Sequence, residues 1–423
     1  MNTSRSNTFA LSIIGLFFFI FGFVTWLNSV LIPFLKTACE LTLSQAFWVT
    51  FAFYISYFFM AFPSSYVLKW TGFRKGMPLG LAIMALGSLL FIPAAYSRQY
   101  PLFLIGLFLQ GTGLTILQTA SNPYVTILGP IESAAKRISI MGVANKVAGM
   151  IGPLVLGAII LSGSGDFDTI TAMADGPEKA SILDTLALKV VIPYAIMAGV
   201  LILLAALVFF TPLPDVEGEN EPDNNQGRNT LPMYLILGVL AIFLYVGVEV
   251  IAGDSIIIFG QSLNLAPIPI QLFGWEINLA HPGNFTSYVM FGMVLGYLVG
   301  IATIPKIISQ AKALALFSLL GIIFSVLAIL TNGFTSIIFI ALLGFANAIM
   351  WPAIWPLSIE KLGRRTKLGS ALLIMGIAGG ATMPLIFSSL GEMITMQNAY
   401  IILLPAYLYI LFFAIKGHKI GKA

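Results

Sequence analysis

Charge is scarce in this chain. Only 9% of its 423 residues are charged, whereas a soluble globular domain carries about 25%. Hydrophobic residues make up 58% of the chain, and the mean hydropathy is +0.97. The shortage of charge together with the high hydropathy excludes an ordinary soluble domain and predicts a protein of the lipid bilayer.

Residue types that carry common chemistry are also scarce. The single cysteine, Cys39, cannot form an intramolecular disulfide. The two histidines, His281 and His418, fall in a loop and in the tail, so we expect neither a metal cluster nor a catalytic triad. No Walker motif is present, which excludes an ATP-driven pump within this chain. The basic residues are scattered rather than clustered, which argues against nucleic acid as a partner. We therefore expect no enzyme and no cofactor.

Long apolar runs are abundant instead. A helix needs about 20 apolar residues to cross a bilayer, and polar breaks separate twelve such runs. They cover residues 9–35, 44–69, 76–97, 101–127, 137–162, 187–211, 231–259, 284–305, 312–330, 335–359, 366–390 and 398–416. The predicted fold class is an all-α membrane protein with twelve transmembrane helices.

The chain divides at a polar segment between the sixth and seventh runs. Residues 212–230 are acidic and rich in Pro, Gly and Asn, which is typical of a flexible linker. The predicted domains are therefore a six-helix half over 1–211, a cytoplasmic linker over 212–230 and a second six-helix half over 231–423. The halves resemble each other, because Pro123 and Pro356 are followed at similar distances by Ile-Met-Gly at 140–142 and 374–376. Parallel repeats of this kind place a substrate site between the halves, near the membrane midplane.

Lysine and arginine counts predict the orientation. With the N-terminus inside, sixteen lie in inner loops and tails and four lie in outer loops, namely Lys36, Arg98, Lys179 and Lys189. Both termini are therefore predicted to be cytoplasmic. On the outer side, residues 163–189 form the longest polar interruption. Residues 261–284 are semi-polar and are expected to lie along the membrane interface.

Three charged residues stand inside apolar runs: Lys146, Glu249 and Asp254. A charge at the bilayer centre costs about 2.5–3.5 kcal/mol on insertion scales, so such residues are usually paired and functional. Lys146 lies about nine residues into its helix, too deep to reach the headgroups easily. We expect it to pair with Glu249 or Asp254 across the two halves. The two acids are roughly 140° apart on an ideal helix, so they face different surroundings unless the helix is distorted.

Amide and aromatic side chains occur in several of the predicted helices. Amides both donate and accept hydrogen bonds, which suits the hydroxyl groups of a polar solute, and an aromatic ring suits an apolar face of such a solute. Gln118 and Asn122 are one turn apart, as are Asn347 and Trp351. The predicted substrate-binding residues are Asn28, Tyr54, Gln118, Asn122, Asn145, Asn347 and Trp351. The alternative for the aromatic residues is packing against lipid or neighbouring helices, and Tyr57 and Trp26 are weaker candidates.

Four segments carry a resemblance to a known family: NSVLIPFLK, LQTASNPYVTILGP, TKLGS and FFAIKGHK. Over residues 10–418 the chain resembles the fucose–proton symporter family of the major facilitator superfamily, and within it the bacterial glucose/galactose transporter branch. The resemblance implies twelve helices, a central hexose site, and uptake into the cell driven by a proton or sodium gradient. It also implies a bacterial inner-membrane protein with a small sugar and the bilayer as partners. A monomer is the default for the fold.

The chain departs from this family at residues of interest. The fucose-transporting members carry Asp and Glu where this chain has Ser29 and Gln118. Aligning Gly22 with Gly247 places Ser29 on Asp254, so Asp254 becomes the candidate to carry the coupling proton or to form a sodium site. Glu249 and Lys146 are the other candidates for coupling or gating, and relatives tend to carry Ser at position 146.

Two alternatives to a symporter remain open. A fixed ammonium at Lys146 would stand in for sodium, and the protein would then be a hexose uniporter. An exporter of amphipathic solutes on the same fold is the second alternative. It predicts an apolar cavity with one acid, and the row of amides argues against it.

Overall fold

The chain folds almost entirely into α-helices. The computed structural model describes residues 2–127, 134–160, 167–211, 231–272, 275–360, 362 and 365–421. The helices are α1 Asn2–Trp26, α2 Asn28–Ala38, α3 Leu43–Ala46, α4 Trp48–Leu89, α5 Phe91–Ser97, α6 Tyr100–Ile127, α7 Ala134–Ile160, α8 Phe167–Ala172, α9 Pro177–Leu188, α10 Val191–Phe210, α11 Met233–Asp254, α12 Ile256–Ser262, α13 Phe285–Thr303, α14 Gln310–Leu330, α15 Gly333–Asn347, α16 Met350–Ile359, α17 Thr366–Gly376, α18 Gly379–Met393 and α19 Leu403–Ile415. A short hairpin joins β1 Pro269–Leu272 to β2 Trp275–Asn278 in antiparallel register.

Among the described residues, twelve helical segments are long and apolar enough to cross a membrane, which confirms the twelve predicted runs. We number these spans 1 to 12: Ser12–Ala38, Leu43–Gly72, Lys75–Ser97, Tyr100–Ser121, Ser139–Ile160, Pro177–Phe210, Met233–Asp254, Pro282–Thr303, Gln310–Leu330, Gly333–Ile359, Leu368–Met393 and Asn398–Ile415. Span 6 begins about ten residues before the predicted run, because α9 continues almost directly into α10. Between spans 2 and 3, Gly72 turns the chain with φ of 69°, a backbone conformation that glycine adopts without strain.

Spans differ in how deeply they are buried. In the most apolar 18-residue stretch of each span, the buried share of residues is 67% for spans 1, 7 and 11. It is only 22% for span 6 and 39% for span 9. Large apolar side chains on the outside, such as Phe210, Ile192 and Leu330, are more than two-thirds exposed in the protein alone. A surface of this kind suits lipid tails rather than water. Spans 1, 7 and 11 therefore lie at the centre, and spans 6 and 9 at the periphery.

Several of the described spans are interrupted. Spans 2, 3 and 6 break at Phe47, at Leu90 and at 189–190, and four further breaks concern more central parts of the molecule. Span 1 breaks at Leu27 between α1 and α2, and the chain of span 7 breaks at Ser255 between α11 and α12. Span 10 breaks at 348–349 and span 11 at 377–378. A break leaves backbone groups without their usual helical partners. Such groups are tolerated at membrane depth where protein or a water-filled cavity surrounds them, and the four further breaks lie towards the middle of the molecule.

We call spans 1–6 the N-terminal bundle and spans 7–12 the C-terminal bundle. The predicted domain limits at 211 and 231 stay a prediction, and residues 212–230 lie outside the described residues. Since each bundle has an even number of spans, Ser12 and Ile415 lie on one face of the molecule, which we call the terminal face. The opposite side, with the loop after span 1 and the hairpin, is the distal face.

The structure adds two features to the distal face, and the expected interfacial position of residues 261–284 stays a prediction. Within the predicted polar interruption at 163–189, the structure has the helices α8 and α9. Within the predicted interfacial segment at 261–284, it has the hairpin, in which Ile270 pairs with Ile277. The Asn278 side chain accepts hydrogen bonds from the backbone N–H groups of Ile268 and Ala280, at 2.9 and 3.0 Å. These local hydrogen bonds stabilise the hairpin, and a hydropathy pattern cannot predict them.

Candidate functional site

A cavity of about 140 Å³ lies at the centre of the molecule, between the two bundles. Its wall is contributed by spans 1, 2, 4 and 5 of the N-terminal bundle and by spans 7, 8, 10 and 11 of the C-terminal bundle. The lining residues are Phe18, Phe21, Thr25, Trp26, Tyr54, Tyr57, Gln118, Gly142, Asn145, Lys146, Tyr245, Val246, Glu249, Tyr297, Trp351, Pro352 and Ile377. Aromatic rings dominate this wall, with a few polar groups placed among them, as is typical of small-molecule sites.

An ion pair joins the bundles at this cavity. Lys146 Nζ of span 5 lies 2.6 Å from Glu249 Oε1 of span 7, and each side chain is only 9% exposed. The ammonium also lies 4.8 Å from the ring centroid of Trp26, a cation–π distance. The expected pairing of Lys146 with one of the two acids is confirmed, and the partner is Glu249. Removing one member of a buried pair leaves an uncompensated charge, so the two residues depend strongly on each other.

Trp26 closes the cavity towards the distal face. It is the last residue of α1, directly before the break in span 1, and it is 2% exposed. Its ring lies against Gly253 of span 7, where a methyl group would collide with the ring. Beyond it, α2 and the first turns of α12 are buried. The cavity is therefore sealed on its distal side in this conformation.

Two of the predicted amides line the cavity. Gln118 Nε2 donates a hydrogen bond to the hydroxyl of Tyr57 at 3.2 Å. Asn145 Nδ2 donates to the backbone carbonyl of Phe18 at 3.2 Å. These bonds fix the orientation of each amide and leave its carbonyl oxygen as an acceptor for a ligand.

The predicted aromatic residues Trp351 and Tyr54 line the cavity as well. Trp351 packs between Tyr245, with ring centroids 6.3 Å apart, and Trp355, with ring centroids 5.2 Å apart. Tyr54 stacks on Tyr57 at 6.2 Å. The indole of Trp351 is half-buried, so part of its surface stays available to a ligand.

Two predicted amides lie elsewhere. Asn347 is fully buried and accepts a hydrogen bond from Tyr407 at 2.8 Å, and it does not line the cavity. Trp351 lines the cavity whereas Asn347 does not, and the helix is interrupted at 348–349 between them. Asn28 is buried in α2, just beyond the break at Leu27, and is also absent from the cavity wall. The side chain of Asn122 lies outside the described residues.

Asp254 occupies a separate, fully buried position. It ends α11, and its Oδ2 accepts a hydrogen bond from Thr50 Oγ1 of span 2 at 3.3 Å. Its Oδ1 is buried without a hydrogen-bond partner among the described residues. Asp254 does not line the cavity. Glu249 and Asp254 therefore have different surroundings, as their angular separation on the helix predicts.

Sequence reasoning missed two tyrosines of the cavity, Tyr245 and Tyr297. Tyr245 precedes Glu249 by four residues, so both lie on one face of α11, and this spacing was a usable signal. Tyr297 lies on span 8, with its ring against Gly142 of span 5. Nothing in the sequence indicates that approach, because it depends on how the two bundles pack.

Two bundles of six spans, a central cavity lined by both and broken helices beside it together define a secondary membrane transporter. Residues 14–384 match the family model of the Major Facilitator Superfamily, and the chain belongs to that superfamily. It is a multi-pass integral membrane protein and a transporter rather than an enzyme.

Named relatives narrow the comparison. The chain is 34% identical to the glucose/galactose transporter of Brucella abortus, over 99% of this chain and 96% of that protein. It is 30% identical to the L-fucose-proton symporter of Escherichia coli, over 89% of this chain and 85% of that protein. The crystal structure of the Major Facilitator Superfamily transporter FucP in the outward conformation superimposes with a TM-score of 0.73 and 28% identity, over 97% of this chain and 99% of that one. The resemblance found in the sequence is confirmed.

Proposed function

We propose that this protein imports a hexose of the glucose/galactose class by alternating access, coupled to a sodium or proton gradient. The Brucella abortus relative is named a glucose/galactose transporter, and this chain covers nearly all of it. The substrate is thus a small neutral sugar, and transport needs no cofactor besides the coupling ion.

The composition of the cavity wall carries this proposal. The Lys146–Glu249 pair is neutral as a unit, and it offers both a donor and an acceptor within 2.6 Å of each other. Neighbouring hydroxyls of a sugar ring present the complementary acceptor and donor. Gln118 and Asn145 add amide oxygens, and Trp351 offers a flat apolar surface for the C–H face of the ring. A neutral polyol satisfies these groups without leaving a charge unpaired.

Coupling is proposed at Asp254. An ionised carboxylate with one hydrogen bond and an oxygen lacking any described partner is costly in a dry interior. Binding a proton or a sodium ion there removes the charge. Because Thr50 and Asp254 belong to different bundles, closure of the distal face buries the carboxylate. The bound cation thereby favours the closed arrangement, which links its binding to the transport cycle.

The cellular setting is proposed by the same reasoning. The excess of Lys and Arg in loops of the terminal face supports a cytoplasmic position for that face and for both chain termini. The named relatives belong to bacteria, so the membrane is the bacterial inner membrane. A monomer suffices, because the cavity is built by a single chain.

A hexose uniporter is the second candidate. It is favoured by the fixed ammonium of Lys146, which neutralises Glu249 without any ion from solution. On this reading Asp254 binds no coupling ion and has a packing role only. An exporter of amphipathic solutes fits less well, because the cavity holds an ion pair and two amides.

The experiment is labelled glucose and galactose uptake into proteoliposomes, with sodium and proton gradients imposed separately. Accumulation above the outside concentration under one gradient supports the symporter and identifies the ion. Equilibration without accumulation supports the uniporter. The absence of hexose uptake under either gradient, or uptake that unlabelled hexoses do not inhibit, would contradict the sugar assignment.

A further inference from the structure

Spans 2 and 11 form an antiparallel seam between the two bundles, from the distal face to the cavity. Three contacts mark it. Ser44 meets Glu392 at the distal end. One turn further in, the rings of Phe47 and Phe387 lie edge to face with centroids 6.1 Å apart. At the cavity, a methyl group at Gly380 would lie 2.9 Å from Cδ1 of Tyr54. The residue numbers rise on one helix as they fall on the other, so one continuous register holds the whole seam.

Glu392 closes the distal end of this seam with both of its carboxylate oxygens. The backbone N–H of Ser44 donates to Oε1 at 2.8 Å, and the Ser44 hydroxyl donates to Oε2 at 2.7 Å. These partners are 348 residues apart in the chain. Glu392 therefore joins the C-terminal bundle to the N-terminal bundle through two charge-assisted hydrogen bonds.

The position of Ser44 explains why a carboxylate fits there. Ser44 lies in the first turn of the helix that opens span 2, where backbone N–H groups lack partners within the helix. Thr42 and Gln45 form a capping box that satisfies the N–H groups at positions 45 and 42. Glu392 supplies the acceptor for the N–H of Ser44, between them. A negative charge is also favoured at this end of a helix.

From these contacts we infer that Glu392 holds the two bundles together at the distal face through its two hydrogen bonds to Ser44. We call this contact the latch. In alternating access the bundles must separate on the distal face to open the cavity there. This separation requires the contacts between spans 2 and 11 to break. Separation breaks both hydrogen bonds to Ser44 and returns the carboxylate to water. The contact is at the surface, so its net contribution is modest. A latch of this strength biases the equilibrium towards the closed face without preventing opening.

The latch rests on alternating access by the transporter fold and not on the identity of the sugar. Its test therefore uses labelling rather than transport, and a failure of the proposed hexose specificity would leave the test unaffected. Ser388, one turn before Glu392 on span 11, is fully buried and provides the reporter position. In a Cys39→Ser background, Ser388→Cys is the single thiol. The full-length protein in detergent micelles is exposed to a hydrophilic maleimide, and the labelling rate is measured.

Glu392→Gln should raise this labelling rate about three- to fivefold, because a charged contact at the surface contributes only modestly. The matched control is Glu178→Gln, which neutralises an exposed glutamate on the distal side of span 6 and should leave the rate unchanged. Elution as a single symmetric peak in size-exclusion chromatography shows that each variant is folded.

A double-mutant cycle keeps the inference falsifiable. Ser44→Ala should raise the rate by a smaller factor than Glu392→Gln. The double variant should match Glu392→Gln alone, because the hydroxyl bond that Ser44→Ala removes is one that Glu392→Gln has already lost. If the increase in labelling rate of the double variant equalled the product of the two single increases, the two residues would act independently, and the inference would be wrong. An unchanged rate in Glu392→Gln would overturn it as well, and so would a Ser388→Cys protein that already labels as fast as the denatured chain.

Discussion

Glu249 and Asp254 lie on one helix, five residues apart, yet they have opposite surroundings. Glu249 lines the cavity and is paired with Lys146 at 2.6 Å. Asp254 lies outside the cavity, is fully buried, and has one hydrogen bond at 3.3 Å. The paired acid is already neutralised, so it is suited to hold a neutral substrate. Asp254 has no neutralising partner among the described residues, so it is suited to take up a cation. Under the proposed function, this helix separates substrate binding at Glu249 from ion coupling at Asp254.

The largest effect is expected from breaking the pair. Lys146→Ala leaves Glu249 buried without its partner, at a cost of about 3–5 kcal/mol. Sugar uptake should fall at least a hundredfold, and the protein should lose thermal stability in detergent. Both quantities are measured on purified protein, the first in proteoliposomes and the second by a melting curve.

The neutral double variant Lys146→Met with Glu249→Gln is the control for this prediction. It removes both charges together, so stability should recover while uptake stays low. Full uptake by the double variant would show that the pair is structural only.

A second contrast concerns two asparagines. Asn145 lines the cavity, whereas Asn347 is bonded to Tyr407 and lies outside it. Asn145→Ala should raise the KM for the sugar about tenfold, since a hydrogen bond in a polar site is lost. Asn347→Ala should leave the KM unchanged and lower the stability by about 1–3 kcal/mol, because the Tyr407 hydroxyl loses its acceptor. An equal rise in KM for both variants would contradict the assignment of the cavity wall.

The smallest effect is expected at Trp351. Trp351→Phe keeps an aromatic surface but shortens it, so affinity should fall about threefold, within the range measured for aromatic contacts. Trp355→Phe is the matched control. Trp355 lies one turn away and packs on Trp351 without lining the cavity. Both affinities are measured by inhibiting labelled hexose uptake with increasing concentrations of unlabelled sugar. A larger loss of affinity in Trp355→Phe than in Trp351→Phe would contradict the contact between the sugar and Trp351.

Hydropathy was sufficient to predict the twelve spans, because about 20 apolar residues have little alternative to crossing the bilayer. The sequence limited the partner of Lys146 to two acids, Glu249 and Asp254, because a lone cation inside a span must be neutralised. The placement of Asn28 and Asn347 was not predictable. Both lie beside helix breaks, and a break shifts the helical face by an amount that depends on packing. The hairpin was missed because its hydrogen bonds run through Asn278 and the backbone rather than through an apolar pattern.

The contrast between the two acids is tested most directly by measuring exchange and accumulation side by side in Glu249→Gln and Asp254→Asn. Proteoliposomes carrying each variant are assayed for sugar exchange without a gradient and for accumulation under the gradient that drives the unmodified protein. Glu249→Gln should lose both activities. Asp254→Asn should retain exchange within about threefold and fail to accumulate sugar, because a neutral amide needs no cation. Normal accumulation by Asp254→Asn, or retained exchange by Glu249→Gln together with lost exchange by Asp254→Asn, would contradict the account.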